Sequence, residues 1–408
     1  MLGLSAQVWS RAERERPMAV ELAAVWINPY TIKKSRTGGV IARILSLSPC
    51  ELVAARMFNP SAELVEKYSA LIVPKGSPES RDVRAHIRSY LREQWIRKEK
   101  TPDKPRVMVL LFKGENAVSV LRAQVVGPIT RGSILGETVR DTYGDFITDS
   151  QGRIRYFEPA VFIIPESVEA EPTLKLWAGY SDDDGGVLEA ACQFPPEIKP
   201  EMTLVLIKPE NFKGPSSLAG NVIDLISRTG LRIIGAKVVQ FSVEQAQEFY
   251  RPVKEILPDK FKPWLQKEIQ RCLAGTLNFA IPEETYEELA DRLKGFKGED
   301  EFRKIVRTMS GLDPAVATTS QGRQVPGPEK CLALIYQGEK AVSRIRSVLG
   351  ATDPIKAEWA TIRRIYGHTI MENVAHASDS RQNSLRELQI IRMGENDFKQ
   401  VINNFYRA

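Results

Sequence analysis

The stretch Thr203-Leu204-Val205-Leu206-Ile207-Lys208-Pro209-Glu210-Asn211 decides the fold, because its pattern occurs twice in the chain. Leu204 to Ile207 reads as a buried strand, and Lys208 to Asn211 as the turn that ends it. Further along, Leu218 to Ile226 has helical spacing closed by Gly230, Ile233 to Val239 reads as a strand, and Val243 to Tyr250 as a helix. The same order starts earlier, at Val25-Trp26-Ile27 followed by Asn28-Pro29-Tyr30. A Gly38-Gly39 turn, a helix start from Val40 to Leu45, a strand from Leu52 to Met57 and a helical run from Ala62 to Tyr68 complete that copy. Asn28 falls opposite Lys208, and Tyr68 opposite Tyr250.

The correspondence resumes downstream. Val109 to Phe112 with Gly114-Glu115-Asn116-Ala117-Val118-Ser119 parallels Ala333 to Tyr336 with Gly338-Glu339-Lys340-Ala341-Val342-Ser343. Arg122 falls opposite Arg346, and Thr138-Val139-Arg140 with Tyr143-Gly144 opposite Thr361-Ile362-Arg363 with Tyr366-Gly367. Agreement over both halves marks an internal duplication. The order β-α-β-β-α-β per copy predicts an α+β protein: two tandem ferredoxin-like domains, each an antiparallel sheet covered by helices, with helical insertions. The expected layout is an N-terminal extension over 1–20, a first domain over 21–180, a linker over 181–201 and a second domain over 202–408. Within the wider stretch Pro165 to Glu201, which reads as the interdomain connection, Ser181-Asp182-Asp183-Asp184-Gly185-Gly186 and Pro195-Pro196 carry the linker composition. Extra sequence precedes the third strand of each copy. In the first it is an amphipathic helix over Asp82 to Lys100 with a basic face of Arg84, Arg88, Arg92 and Lys98. In the second it is an insertion at about 266–328, where Pro282-Glu283-Glu284 opens a helix through Tyr286, Leu289 and Leu293.

The totals narrow the function classes. At 408 residues, two cores are expected. Apolar residues make up 43% and charged ones 26%, the balance of a soluble globular chain. A net charge of +6 favours anionic partners without demanding a nucleic acid. No run reaches the roughly 18 to 20 apolar residues of a membrane helix, and the first residues do not follow a signal-peptide layout. Cys50, Cys192, Cys272 and Cys331 lie far apart, with no metal-ligand spacing, which suits reduced thiols in a cytoplasmic protein. The basic helix lacks interleaved aromatics and reads as a solvated face, so no nucleic-acid partner is expected.

Two of the three histidines lie in Arg363-Arg364-Ile365-Tyr366-Gly367-His368-Thr369-Ile370-Met371-Glu372-Asn373-Val374-Ala375-His376-Ala377-Ser378-Asp379-Ser380. His376 ends a short apolar run beside arginines, which suits chemistry on an anion; His368 and His86 read as structural or surface residues. With Ile207-Lys208-Pro209-Glu210, Tyr250, Arg346 with Leu349-Gly350-Ala351-Thr352-Asp353-Pro354, and Thr361-Ile362-Arg363, this set resembles the nucleoside-diphosphate kinase family. The resemblance covers most of 203–408 and, faintly, 21–180. It departs from the family pattern at Ala377, which replaces a glycine, at Ala351, which replaces an acidic residue, and in the Ile355 to Ala360 loop.

The resemblance implies transfer of the terminal phosphate of a nucleoside triphosphate such as ATP to a nucleoside diphosphate, in two half-reactions through phosphohistidine at His376. A neutral imidazole is nucleophilic near pH 7, because its unperturbed pKa is about 6.5. By the same resemblance Glu387 fixes the ring tautomer. Lys208 and Tyr250 reach the terminal phosphate, Arg346, Arg363 and Thr352 hold phosphates, and Asn373 bonds the sugar. Phe261, or failing it Trp264, carries the base. Mg2+ would bridge nucleotide phosphates, with no dedicated protein metal site. The first copy has Asn28 for lysine and Ala160 to Ile164 where the nucleophile should be, and reads as a degenerate partner domain whose Arg122 and Arg140 leave weak anion binding open. A homo-oligomer or an intrachain pseudo-dimer is expected. The alternative function is a nucleotide-binding regulatory or scaffold protein without turnover; a nucleic-acid binder using the basic helix is the unrelated third class.

Overall fold

The computed structural model describes residues 19–72, 81–96, 98, 102–129, 136–277 and 279–407, so most of the expected N-terminal extension lies outside the described residues. The first copy contributes β1 (Val20–Ile27), α1 (Thr37–Leu47), β2 (Glu51–Phe58), α2 (Ala62–Leu71), α3 (Arg81–Trp95), β3 (Val107–Glu115) and β4 (Val161–Ile163). Its sheet runs β2-β3-β1-β4, with every pairing antiparallel. After α4 (Ala170–Tyr180), the second copy repeats the plan with β5 (Pro200–Ile207), α5 (Leu218–Ser227), β6 (Arg232–Val239), α6 (Val243–Phe249), α7 (Arg251–Ala274), α8 (Glu283–Ser310), β7 (Cys331–Glu339), α9 (Ala341–Leu349), α10 (Ile362–Tyr366) and β8 (Ala375–Ala377). Its sheet order, β8-β5-β7-β6, is the same arrangement. This is the expected ferredoxin-like sandwich in both halves. The chain closes with α11 (Arg381–Ile390) and α12 (Asp397–Phe405).

Three sequence expectations are corrected. Gly38-Gly39 is no turn but the first turn of α1, because the bare Cα of Gly38 lets another helix touch its backbone. The stretch from Pro165 is not all connection: α4 buries Trp177 against Trp26, Tyr68, Trp95 and Phe58, so aromatic burial overrides its linker-like position. The basic helix ends at Trp95 and is anchored by buried Val83, Ile87, Leu91 and Trp95, while Arg92 pairs with Glu66 at 2.6 Å.

The halves meet through α1 and α5 and along the β2 and β6 edges. A Cβ on Gly38 would lie 2.3 Å from the Asp224 backbone nitrogen, and one on Gly220 would lie 2.1 Å from that of Ala42. Gly38 and Gly220, like Ala42 and Asp224, share the spacing that relates Tyr68 to Tyr250. The contact is therefore self-complementary in the manner of a two-fold dimer, with both copies in one chain. Cross-half bonds reinforce it: Arg232 to Asp103 at 2.6 and 2.7 Å, and Lys330 to Glu51. The insertion is a helical hairpin in which Gly298 of α8 lets Pro258 of α7 approach closely.

Candidate active site

The last strand of each copy starts from a strained residue. Val374 has φ +66° and Ala160 has φ +59°, a conformation that side chains, above all β-branched ones, rarely adopt. In each case an N–H two residues on closes the turn: Ala375 N to Asn373 O at 2.8 Å, and Val161 N to Pro159 O at 2.6 Å. In the second copy Glu210 accepts from Val374 N at 3.0 Å, and Asn211 Nδ2 donates to Val374 O at 2.8 Å. Neither residue had a role in the sequence reading. Their only signal was adjacency to Lys208, in a turn whose backbone groups had to be satisfied.

The turn delivers His376 into β8, opposite Leu206. Its side chain is 22% exposed, so the ring reaches solvent. Nε2 lies 3.1 Å from Glu387 Oε2 on α11, within ion-pair distance but off the line of a full hydrogen bond. The same carboxylate oxygen accepts from Ser378 Oγ at 2.6 Å. Ser378 was missed, although residues two apart in a strand share a face and could have pointed to it. Phe249 and Tyr250 flank the imidazole, with centroids 5.0 and 5.8 Å away. Burial raises the Tyr250 phenol well above its usual range, with Cys331, Glu387 and Glu210 adding to it, so it remains a proton donor.

Arg363 spans the floor. Nη1 donates to Gly350 O and Nη2 to Ala375 O, both at 2.9 Å, while Nε is buried without a partner. Burial, then the neighbouring Arg346, brings its pKa down to about 10, so it keeps its charge at neutral pH. Gly350, at φ +80°, ends α9 and turns that carbonyl towards the arginine. Arg346 is exposed, and its side chain forms no hydrogen bond or ion pair among the described residues. It also lies close enough to Asp379 to help hold that carboxyl low: burial pushes the group up, and Asn383, Ser380, Arg346 and His376 outweigh it.

Lys208, expected to reach the terminal phosphate, has its ammonium bonded within the protein. It is 7% exposed, its ammonium bonds Met371 O and Asn373 Oδ1 (3.1 Å to the latter), and Glu210 lies 3.5 Å away. Burial lowers its pKa and Glu210 opposes that. Asn373 in turn donates to Thr352 O at 3.1 Å, which ties the exposed Thr352 loop to the site. Phe261, on the α7–α8 hairpin, meets the edge of Trp264 and the Lys297 ammonium, 5.3 Å from its centroid, and packs against the core cluster that includes Phe249 and Tyr250.

The first copy fills the same place. Phe162 opposes Trp26 as His376 opposes Leu206, is 1% exposed, and packs on Tyr90 and Trp95 of α3. Asn28 bonds buried Glu158 at 3.3 Å, and Tyr90 Oη donates to that carboxylate at 2.6 and 2.8 Å. Arg140 repeats the bonds of Arg363, to Gly127 O at 2.6 Å and Val161 O at 3.1 Å, and Arg122 donates to Pro165 O at 2.7 Å. Aromatic rings thus stand at the histidine's position in this copy, while the two arginines bond backbone carbonyls.

A family model described as nucleoside diphosphate kinase matches residues 201–279 and 314–396. Over these residues the C-terminal half is similar to the nucleoside diphosphate kinase family. The unmatched interval, 280–313, spans α8 and lies inside the expected insertion. Named nucleoside diphosphate kinases align over 46% of this chain and 90% of their own length at 26% identity in Persephonella marina, and over 46% and 89% at 28% in Chlorobium limicola. The Kosmotoga olearia relative is 27% identical over 47% of this chain and 87% of its own. A solved NDP kinase structure from Pyrobaculum aerophilum is 24% identical, covers 47% of this chain and 95% of its own, and superposes with a TM-score of 0.31. No helix among the described residues is long and apolar enough to cross a membrane.

Proposed function

We propose that the C-terminal half moves the terminal phosphate from a nucleoside triphosphate to a nucleoside diphosphate through His376. The observation that carries this reading is the partly exposed imidazole set with Nε2 against the buried Glu387 carboxylate and two guanidinium groups nearby. With the Nε2 proton directed at Glu387, the lone pair stands on Nδ1. In the first half-reaction that pair attacks the γ-phosphorus, and the bond to the bridging oxygen breaks and releases the diphosphate. In the second, a terminal oxygen of the acceptor diphosphate attacks the same phosphorus, and the P–N bond returns its pair to the ring. No proton is gained or lost overall.

Arg346 would meet the incoming phosphates first, since nothing else occupies it, and each charge-assisted bond contributes roughly 1.5 to 3 kcal/mol. Arg363 has further N–H groups beyond those bonded to carbonyls, and Tyr250 remains a donor. Lys208 acts in this reading mainly by fixing Asn373, whose amide orders the Thr352 loop. The substrate is the Mg2+ complex of the nucleotide: phosphate oxygens hold such an ion with few protein ligands, and no group of three ligating side chains stands ready among the described residues. The pairing of α1 with α5 serves as an intrachain counterpart of a homodimer, with the first copy as a non-catalytic partner.

Incubation with γ-labelled ATP tests the reading. Acid-labile label is expected on the wild type and absent from His376→Ala; equal label on both would end the proposal. Lys208, held inward, favours one second reading, a nucleotide-binding protein without turnover. It would show nucleotide binding with no exchange between ATP and another nucleoside diphosphate.

A further inference from the structure

Pairing of the halves encloses two clefts related by the repeat. In one, Lys330 is neutralised by Glu51 and also donates to Leu52 O at 3.4 Å. In the other, Arg106 holds the place of Lys330, but Arg232 holds that of Glu51, so a cation stands where the first cleft has its carboxylate. Arg106 is 9% exposed, and its Nη1 donates to Ile233 O at 2.5 Å. No carboxylate lies within ion-pair distance of it among the described residues. A buried guanidinium without a counter-charge is costly, and its equivalent across the repeat has one.

The cleft around it, about 210 Å3, is lined as well by Lys33, Arg232 and Asp103. Asp103 is the only carboxylate in that lining and is already bonded to Arg232 at 2.6 and 2.7 Å. Three cations against one carboxylate leave the charge of a dianion uncompensated. Thr37 and Gly38, in the first turn of α1, line the same space with backbone N–H groups that have no intrahelical acceptor. The Tyr336 hydroxyl, buried without a partner, borders it too, and Phe112 at the same place in the first copy shows that packing does not need that hydroxyl.

We propose that this cleft binds a phosphate dianion, either inorganic phosphate or the phosphate of a monoester, at the junction of the two halves and apart from His376. The proposal does not rest on the kinase reading, and loss of label at His376 would leave it standing.

The test is calorimetric titration of the full chain with inorganic phosphate and, in a second arm, with AMP. Binding is expected to persist in Arg346→Ala and to weaken about tenfold in Arg106→Gln and in Lys33→Ala, the loss of one charge-assisted contact. Lys33 is exposed, so its variant keeps the test valid if Arg106→Gln fails to fold. Dependence on these residues in the phosphate arm alone identifies the free anion; the same dependence for AMP identifies a monoester. Wild-type affinity for both ligands in Lys33→Ala and in folded Arg106→Gln would overturn the proposal. So would complete loss of phosphate binding in Arg346→Ala, which would place the anion at His376.

Discussion

Arg140 and Arg363 make the same pair of backbone bonds in the two copies, yet only Arg363 has a histidine, the proposed nucleophile His376, at the end of the strand it braces. Replacing either by alanine removes two charge-assisted bonds and leaves two carbonyls on the floor of its half without their donor. At 1.5 to 3 kcal/mol per bond, with imperfect additivity, each variant should lose roughly 3 kcal/mol of local stability. Hydrogen exchange at strand amides of the affected half reads this loss. Arg363→Ala should in addition lose a contact to the transferring phosphate, which corresponds to a fall of roughly 10- to 150-fold in kcat/KM measured below the unfolding transition. Arg140→Ala should leave turnover near wild type. Arg363→Lys restores charge without the two-pronged geometry, so it should recover part of the rate and little of the stability. An Arg140→Ala protein as stable as wild type would refute the bracing role. A folded Arg363→Ala enzyme with unchanged kcat/KM would refute the phosphate role.

Other outcomes follow from the same structure. Burial raises the Glu158 pKa above its usual value, against the hydrogen bonds of Tyr90, Asn28 and Ala160. The folded first copy therefore holds this proton more tightly than the unfolded chain. The resulting stabilisation is full below the unfolded pKa and is lost as pH rises through the folded one. Glu158→Gln should flatten that part of the profile of Tm against pH; an unchanged slope would count against it. Phe162→His should place an imidazole where His376 stands in the other copy, yet take no label from γ-labelled ATP, because Tyr90 and Trp95 fill the space and Asn28 carries no charge; it should also cost roughly 2 kcal/mol or more. Label at that histidine would contradict the plugged site. Gly38→Ala and Gly220→Ala should each cost roughly 1 to 3 kcal/mol, because the added methyl meets backbone rather than a movable side chain. Calorimetry of both should show similar losses, and a neutral result for either would contradict the helix contact.

The order of elements, the duplication and most of the site were legible in the chain because they rest on local pattern. A continuous apolar run marked Leu204 to Ile207 as a buried strand, and the spacing of Arg346, Arg363, Asn373 and His376 could be read residue by residue. The nucleophile's absence from the first copy was equally visible. What replaces it was not. Phe162, Tyr90, Trp95 and Glu158 come from three separate segments, and only the sheet and the helix packed on it bring them together. The roles of Glu210 and Asn211 were hidden for a related reason: they satisfy a strained turn at Val374 far along the chain. Lys208 could be placed at a strand end, but the direction of its ammonium depends on the fold of 371–373. The intimacy of the two halves also lay beyond sequence, since a glycine signals freedom for the backbone and not which helix will use the space. Sequence alone determined the topology and singled out the proposed reactive groups, because hydrogen-bonded strands and helices follow from neighbouring residues. Tertiary structure alone decided which charges are neutralised and which stand open, because compensation of a buried charge depends on groups that only folding brings within a few ångströms.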